Sequence, residues 1–136
     1  MSESVQHIRL VQAILAYVRR EFANLTALAI FDDTAEPTRG EKPPRIYGYV
    51  PDVYAVNVPP TTTIIGEAKT RSDLETQRSR AQIAGFLDFL SVKANGVFIL
   101  AVPFSAAATA RTVVTTAQRG LRPSETRVVI LDGIVP

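Results

Sequence analysis

The stretch that decides the fold is residues 64–102, IIGEAKTRSDLETQRSRAQIAGFLDFLSVKANGVFILAV. It begins inside a run rich in β-branched residues, 61–69, which is typical of a strand. Residues 74–91 follow with apolar side chains at helical spacing, and residues 97–102 form a near-continuous apolar run typical of a strand buried on both faces. The helix between these two strands would form a right-handed crossover connection, so the two strands are predicted to lie parallel in one sheet.

The N-terminal half supplies a helix and two further strands. Apolar residues at helical spacing predict an amphipathic helix over residues 4–23. Residues 25–31 are predicted to form a short buried strand. Residues 46–58 resume strand character but contain Pro51, which donates no ladder hydrogen bond and therefore predicts an edge position or a bulge.

The C-terminal part adds an alanine-rich helix over residues 105–119 and a strand over residues 127–131. The predicted order is helix, three strands, helix, strand, helix, strand. This order defines an α/β class with a mixed central sheet flanked by helices. A chain of 136 residues is long enough for one hydrophobic core and too short for two, so residues 1–136 are predicted to form a single domain.

The composition limits the classes of protein. It is 46% hydrophobic and 21% charged, as in soluble globular proteins, and the net charge of +2 leaves a nucleic-acid partner open. The absence of cysteine excludes disulfides, thiolate zinc sites and cysteine nucleophiles. Residues 1–4 lack the features of a signal peptide and residues 97–102 are too few to span a bilayer, so no membrane association and a cytoplasmic location are expected.

Two short motifs carry the chemistry, Pro51-Asp52 and Glu67-Ala68-Lys69. Side chains alternate between the faces of a strand, so Glu67 and Lys69 must lie on one face. If the segment that carries Asp52 pairs with this strand, two carboxylates and one ammonium converge on a patch suited to a hard divalent cation. The alternative is an ion pair between Glu67 and Lys69 at the surface, with Asp52 as a turn residue.

In this order of elements, the two motifs resemble the PD-(D/E)XK nuclease superfamily, which includes restriction endonucleases and Holliday-junction resolvases. Residues 64–102 resemble the archaeal Holliday-junction resolvase group more than the others, because that group carries a glutamine on the following helix where Gln82 stands here. The resemblance covers residues 49–102 by sequence and the two ends by topology. It implies a restriction-endonuclease-like core, αβββαβ, extended here by a C-terminal helix and strand.

The resemblance implies a metal-dependent endonuclease that hydrolyses phosphodiester bonds of DNA, with branched DNA as a preferred substrate. Asp52, Glu67 and the backbone carbonyl of Ala68 would hold Mg²⁺, for which Mn²⁺ would substitute. Lys69 would orient or help to deprotonate the attacking water and would stabilise developing charge. Gln82 would hydrogen-bond the scissile phosphate or a water on the metal.

Basic residues supply candidate contacts to the DNA backbone, with little reading of base sequence. One set lies in the loop 32–45 that leads toward Asp52: Arg39, Lys42 and Arg45. A second set follows Lys69 and is interleaved with acids, as in a solvated helix face: Arg71, Arg78 and Arg80. An enzyme that cuts paired strands is expected to act as a homodimer.

The chain departs from the resolvase-like pattern on its first helix. Members of that group usually carry a further glutamate there, whereas this region offers Gln6, His7 and Gln12, with Glu3 and Glu21 near the helix ends. We expect His7 to be an exposed residue at the helix start. Two alternatives follow: a non-catalytic DNA-binding or assembly domain that retains the nuclease fold, and a restriction-type or mobile-element nuclease with the same chemistry on another substrate.

Overall fold

The computed structural model describes residues 4–37 and 39–134. The first half of the chain forms helix α1 (Val5–Glu21) and strands β1 (Ala29–Asp32), β2 (Val53–Val56) and β3 (Thr63–Ala68). The second half forms helices α2 (Arg71–Leu74) and α3 (Gln77–Ser91), strand β4 (Gly96–Pro103), helix α4 (Ala107–Arg119) and strand β5 (Arg127–Ile134). A single turn of 3₁₀ helix, Phe104–Ala106, joins β4 to α4.

The five strands form one mixed sheet in the order β1-β2-β3-β4-β5. β1, β2 and β3 are antiparallel neighbours, whereas β3, β4 and β5 run parallel. The predicted α/β class and the parallel pairing across the crossover are therefore confirmed. The sheet is open, with β1 and β5 at its edges.

Helices cover both faces of the sheet, and the alternation of side chains assigns each strand residue to one of them. α1 packs through Leu10, Ile14 and Val18 on the face that carries Ile64 and Ala68. α3 and α4 pack on the opposite face against Ile65, Phe98 and Leu100. Because β3 alternates with period two, Glu67 and Lys69 share the face of Ile65 and point toward α3.

Two predicted strands are shorter in the structure than the sequence indicated. β1 begins only at Ala29 because the chain turns after α1, where Ala27 has a φ of 55°. Residues 46–49 form a tight turn closed by hydrogen bonds of 2.7 and 2.9 Å between the backbones of Ile46 and Tyr49. β2 lies inside the sheet, between β1 and β3, and Pro51 precedes it, so of the two predicted settings for Pro51, an edge or a bulge, the edge was wrong.

The helix predicted over residues 74–91 begins later in the structure, at Gln77, and a separate short helix, α2, precedes it. Thr70 and Asp73 form a capping box at the start of α2, and the Thr76 hydroxyl caps α3 by accepting a hydrogen bond from the Ser79 N–H. Threonine and aspartate side chains compete for backbone N–H groups and favour helix starts over helix interiors. The predicted buried stripe of α3 is confirmed: Ile83, Phe86, Leu87 and Leu90.

Gly66 lies where α1 crosses β3 most closely. A Cβ at this position would stand 2.5 Å from Cγ2 of Ile14 and 3.2 Å from Cβ of Val53. We expect Gly66→Ala to lower the free energy of unfolding by about 1–3 kcal/mol, because a packed core resists an added methyl group. Urea unfolding measures this loss.

The matched control is Gly133→Ala, whose added Cβ meets nothing within 4 Å. It should change the free energy of unfolding by less than about 0.5 kcal/mol. A Gly66→Ala protein as stable as this control would contradict the close approach of α1 to β3.

Candidate active site

The candidate site lies at the end of the sheet where β3 finishes and β2 begins. Asp52 immediately precedes β2, and Glu67 and Lys69 stand at the carboxyl end of β3. β2 and β3 pair with Val53 opposite Gly66, and the same register continued by one residue sets Asp52 opposite Glu67. The antiparallel pairing therefore brings the two motifs together.

Two hydrogen bonds tie the carboxylates of Asp52 and Glu67 across the strands. The backbone N–H of Asp52 donates to Oε1 of Glu67 at 2.9 Å, and the N–H of Ala68 donates to Oδ2 of Asp52 at 2.8 Å. Pro51, just before Asp52, is a proline and has no N–H to donate to the opposite strand. Each carboxylate is held by the backbone of the opposite strand.

Lys69 is buried, with 8% of its surface exposed, and its ammonium is paired. Nζ lies 3.4 Å from Oε2 of Glu67 and donates to Oε1 of Gln82 at 2.6 Å. The Lys69 N–H also donates to the Ala101 carbonyl at 3.0 Å, which fixes the residue to β4. The structure thus brings Gln82 of α3 to the lysine, at the end of the sheet where Asp52 and Glu67 lie.

The electrostatics of the site disfavour the ionised form of Glu67. Burial, followed by the nearby charge of Asp52, raises the pKa of Glu67 to about 8, although Lys69 and the Asp52 N–H act in the opposite direction. One ammonium is therefore not enough to keep both carboxylates ionised at neutral pH in this buried setting. A divalent cation would offset this charge, and carboxylate and carbonyl oxygens are the ligands that Mg²⁺ prefers, so Asp52, Glu67 and Ala68 fit such an ion.

His7 contacts the site, contrary to the expectation of an exposed helix-start residue. Its Nε2 lies 3.3 Å from Oδ1 of Asp52, and only 23% of the His7 side chain is exposed. The His7 N–H donates to Oγ of the N-cap residue Ser4 at 3.1 Å, which fixes the first turn of α1 beside Asp52. No sequence pattern marks this contact, because it depends on where α1 crosses the sheet.

The first helix provides no acid to the site within the described residues. The first turn of α1 contains no acid, and Glu21 lies at the far end of the helix, where it pairs with Arg20. Gln12 is exposed, Gln6 is half-buried, and Glu3 lies outside the described residues. Within residues 4–37 and 39–134, no three histidine, cysteine or acidic side chains come close enough together to hold a metal ion.

The predicted loop cations lie on the surface, and each has a partner within about ten residues along the chain. Arg39 stands over the ring of Phe31 at 5.4 Å from its centroid. Lys42 pairs with Asp33 at 2.7 Å, and Arg45 donates to the Gly48 carbonyl at 2.9 Å.

The cations after Lys69 are exposed as well. Arg71 lies in α2, two residues beyond Lys69 in the chain. Arg78 stands over the ring of Tyr49 at 5.4 Å from its centroid, and Arg80 donates through Nε to the Leu74 carbonyl at 3.3 Å. Of these cations, Arg71 is the nearest to Lys69 along the chain.

Sequence reasoning missed a buried acid, Asp32, which was assigned to the loop 32–45. Asp32 is the last residue of β1, is 1% exposed and accepts a hydrogen bond from the Thr34 hydroxyl. It pairs with Val53, the neighbour of Asp52 in the chain. The spacing of Asp32 and Thr34 is the one available signal, because an aspartate at the start of a turn bonds residues two positions on.

No match to this chain was found among protein-family models, curated proteins or solved structures. Across the described part of the chain, every helix is too short or too polar to cross a membrane. The residues themselves define the class of site: two linked carboxylates at a strand end, with a buried lysine held between glutamate and glutamine.

Proposed function

We propose that this protein is a metal-dependent DNA endonuclease with the restriction-endonuclease-like fold of the PD-(D/E)XK superfamily. The observation that carries the proposal is the convergence of Asp52, Glu67 and Lys69 at the ends of two paired strands. The order of elements supports it as well, because three antiparallel strands are followed by a crossover to a parallel strand.

The roles of the residues follow from their contacts. Asp52, Glu67 and the Ala68 carbonyl hold the ion. A bound Mg²⁺ supplies charge neutralisation at the phosphate and lowers the pKa of the attacking water. The ammonium of Lys69 orients that water and stabilises charge that develops at the phosphate.

Gln82 acts on both the lysine and the substrate. Its Oε1 accepts the hydrogen bond from Lys69 Nζ, which fixes the direction of the ammonium. Its side-chain N–H groups donate to the scissile phosphate. Gln82 is therefore a positioning residue for Lys69, in addition to the contact with the scissile phosphate or a water on the metal that the resemblance implies.

The partner is DNA, bound through its phosphates. Arg71 follows Lys69 closely in the chain, and the other cations offer contacts farther away: Arg39, Lys42, Arg45, Arg78 and Arg80. Such contacts position a duplex and carry no base information, which suits a nuclease selective for DNA structure. A homodimer would present two such sites to paired strands.

A second candidate function is a DNA-binding or assembly domain that retains the nuclease fold without cleavage. The observation that favours it is the lack, among the described residues, of a third acid beside Asp52 and Glu67. A restriction-type nuclease would differ from the first proposal only in substrate. Cleavage assays on four-way junctions and linear duplexes, in Mg²⁺ and in Mn²⁺, separate the three.

Replacement of the lysine tests the proposal directly. We expect Lys69→Met to lower the rate of cleavage by about a hundred- to a thousandfold while DNA binding is retained, because the variant keeps an apolar stem and loses the ammonium with its contacts to Glu67 and Gln82. Cleavage is followed by gel and binding by fluorescence anisotropy.

Lys93→Met is the matched control. Lys93 is exposed beyond the end of α3, with its Nζ 4.5 Å from the centroid of the Phe89 ring. This variant should cleave at the wild-type rate. DNA binding without cleavage by the wild-type protein in either metal would reject the nuclease and support the binding domain.

A further inference from the structure

Tyr49 packs against the side of α3 that carries Gln82. Its ring lies nearly perpendicular to that of Phe86, with the ring centroids 6.3 Å apart, and the guanidinium of Arg78 stands 5.4 Å from its centroid. Arg78, Gln82 and Phe86 follow one another at intervals of four residues, so they form one stripe along α3. Because Tyr49 contacts the residues one turn before and one turn after Gln82, its ring lies beside the residue that holds Lys69.

The position of Tyr49 is fixed by the tight turn that it closes. Ile46, at the start of the turn, is buried and exchanges two backbone hydrogen bonds with Tyr49. At the tip, the Tyr47 hydroxyl donates to Oδ2 of Asp88 on α3 at 2.9 Å. Asp52 follows Tyr49 by three residues. The turn therefore joins α3 to the start of the strand segment that carries the candidate site.

Arg78 combines exposure with a fixed position. It lies in the first turn of α3, one turn before Gln82, and is open to solvent. Within the part of the chain that the structure describes, no carboxylate pairs with it, whereas the loop cation Lys42 is paired with Asp33. A guanidinium over an aromatic ring keeps the N–H groups at its edge available to an acceptor. A cation held in place before the ligand arrives loses less conformational freedom on binding.

We propose that Arg78 binds the phosphate next to the scissile one on the cleaved strand, and that Tyr49 is a positioning residue that holds the Arg78 guanidinium for this contact. This inference rests on the proposed nuclease function. A guanidinium can give a phosphate two parallel hydrogen bonds. Residues four apart on a helix have Cβ atoms about 6 Å apart, so Arg78 and Gln82 would reach neighbouring phosphates of one strand.

The first test removes the charge of Arg78. We expect Arg78→Gln to raise KM for cleavage of a DNA duplex by at least about tenfold and to change kcat by less than about threefold. Binding is measured by fluorescence anisotropy in the Lys69→Met background, where the DNA stays intact. The slope of log affinity against log salt concentration should be smaller by about one for Arg78→Gln, as for the loss of one phosphate contact.

The matched control is Arg20→Gln, which removes the same charge from the same kind of contact. Arg20 stands over the ring of Tyr17 at 5.6 Å from its centroid, in the last turn of α1. The opposite end of α1 is the one beside Asp52. This variant should keep the wild-type KM and salt slope.

The second test separates positioning from packing at Tyr49. Tyr49→Phe keeps the ring and should bind as the wild-type protein does. Tyr49→Leu should weaken binding by about two- to fivefold, because the guanidinium loses its support. In the Arg78→Gln background, Tyr49→Leu should weaken binding no further, since Tyr49 acts through Arg78. Urea unfolding of each variant shows whether the fold is retained.

A neutral phosphate identifies the group that Arg78 contacts. Once the cleavage position in a duplex is mapped, a methylphosphonate is placed on either side of it. One of the two should raise KM in the wild-type protein by about as much as Arg78→Gln does, and it should have no further effect in that variant.

The outcomes distinguish this inference from the proposed function. A wild-type KM and salt slope in Arg78→Gln overturn the role of Arg78, while cleavage that depends on Lys69 leaves the nuclease intact. An equal effect of Tyr49→Leu with and without Arg78 overturns the positioning role. DNA binding that depends on Arg78, in a wild-type protein that cuts no DNA in Mg²⁺ or Mn²⁺, overturns the nuclease and retains Arg78 as a phosphate ligand.

Discussion

Asp52→Asn is expected to abolish cleavage and at the same time to make the metal-free protein more stable. Asparagine keeps the shape of aspartate and an oxygen that accepts the Ala68 N–H, so the pairing of β2 with β3 should persist. The variant lacks the negative charge that we propose to hold the metal. We expect its rate of DNA cleavage to fall by at least about a thousandfold.

The gain in stability follows from the charge that Asp52 imposes on Glu67. The carboxylate of Asp52 is one of the causes that raise the pKa of Glu67, which means that ionised Glu67 is less stable beside it. Removing the charge of Asp52 should raise the free energy of unfolding by on the order of 1–3 kcal/mol at about pH 9, where Glu67 is ionised in both the wild-type protein and Asp52→Asn. Charged functional sites commonly lower the stability of the protein that carries them.

The control for this prediction is Asp132→Asn, the same chemical change at an exposed ion pair. Asp132 lies 2.9 Å from Arg111, and surface pairs of this kind contribute less than about 1 kcal/mol. The control should cleave DNA at the wild-type rate and should not gain stability. If Asp52→Asn is less stable than the wild-type protein in the presence of a chelator, the two carboxylates do not repel each other as the geometry indicates.

The stability of the metal-free protein should fall as the pH rises from about 4.5 to about 8, because Glu67 gives up its proton over that range only in the unfolded chain. The unfolded glutamate has the ordinary pKa of 4.5, and the folded one has a pKa of about 8. Between these values the native state binds more protons than the unfolded state, so a rise in pH favours unfolding. The slope from this group is at most about 1.4 kcal/mol per pH unit, and it ends above the folded pKa.

The contribution of Glu67 is isolated by comparison with Glu67→Gln. Urea unfolding across the same pH range, with a chelator present, should show a flatter profile for this variant than for the wild-type protein. Glu125→Gln, at an exposed position, should keep the wild-type slope. Added Mg²⁺ should stabilise the wild-type protein most at high pH, since the ion binds the ionised carboxylates of the native state. A Glu67→Gln profile identical to that of the wild-type protein would contradict the raised pKa.

The parts of the fold that follow from local patterns were predictable. The alternation of side chains is enough to set Glu67 and Lys69 on one face, and the run of apolar residues is enough to bury β4 on both sides. The stripe of α3 follows from the helical repeat. Gln82 was singled out by the resemblance to the resolvase group and not by a local pattern, and the structure sets it against Lys69.

The remaining features depend on information that is not local. The turn at residues 46–49 requires positive φ at Tyr47, a conformation that residues with a Cβ seldom adopt, so strand propensity was misleading there. The break between α2 and α3 depends on which of several neighbouring polar side chains caps a helix. The contact of His7 with Asp52 joins residues 45 positions apart along the chain and is set by the packing of α1 on the sheet.

The register of β2 against β3 has a consequence for how the protein matures. If the two strands paired one residue out of register, no residue of the site would be lost from the chain. Asp52 would nevertheless lie on the wrong face of the sheet and would no longer meet Glu67. A mispaired chain would therefore retain much of its secondary structure and lose the proposed site. Assembly of the site and correct pairing of the strands are a single event, so the proposed activity would report whether a molecule has folded in register.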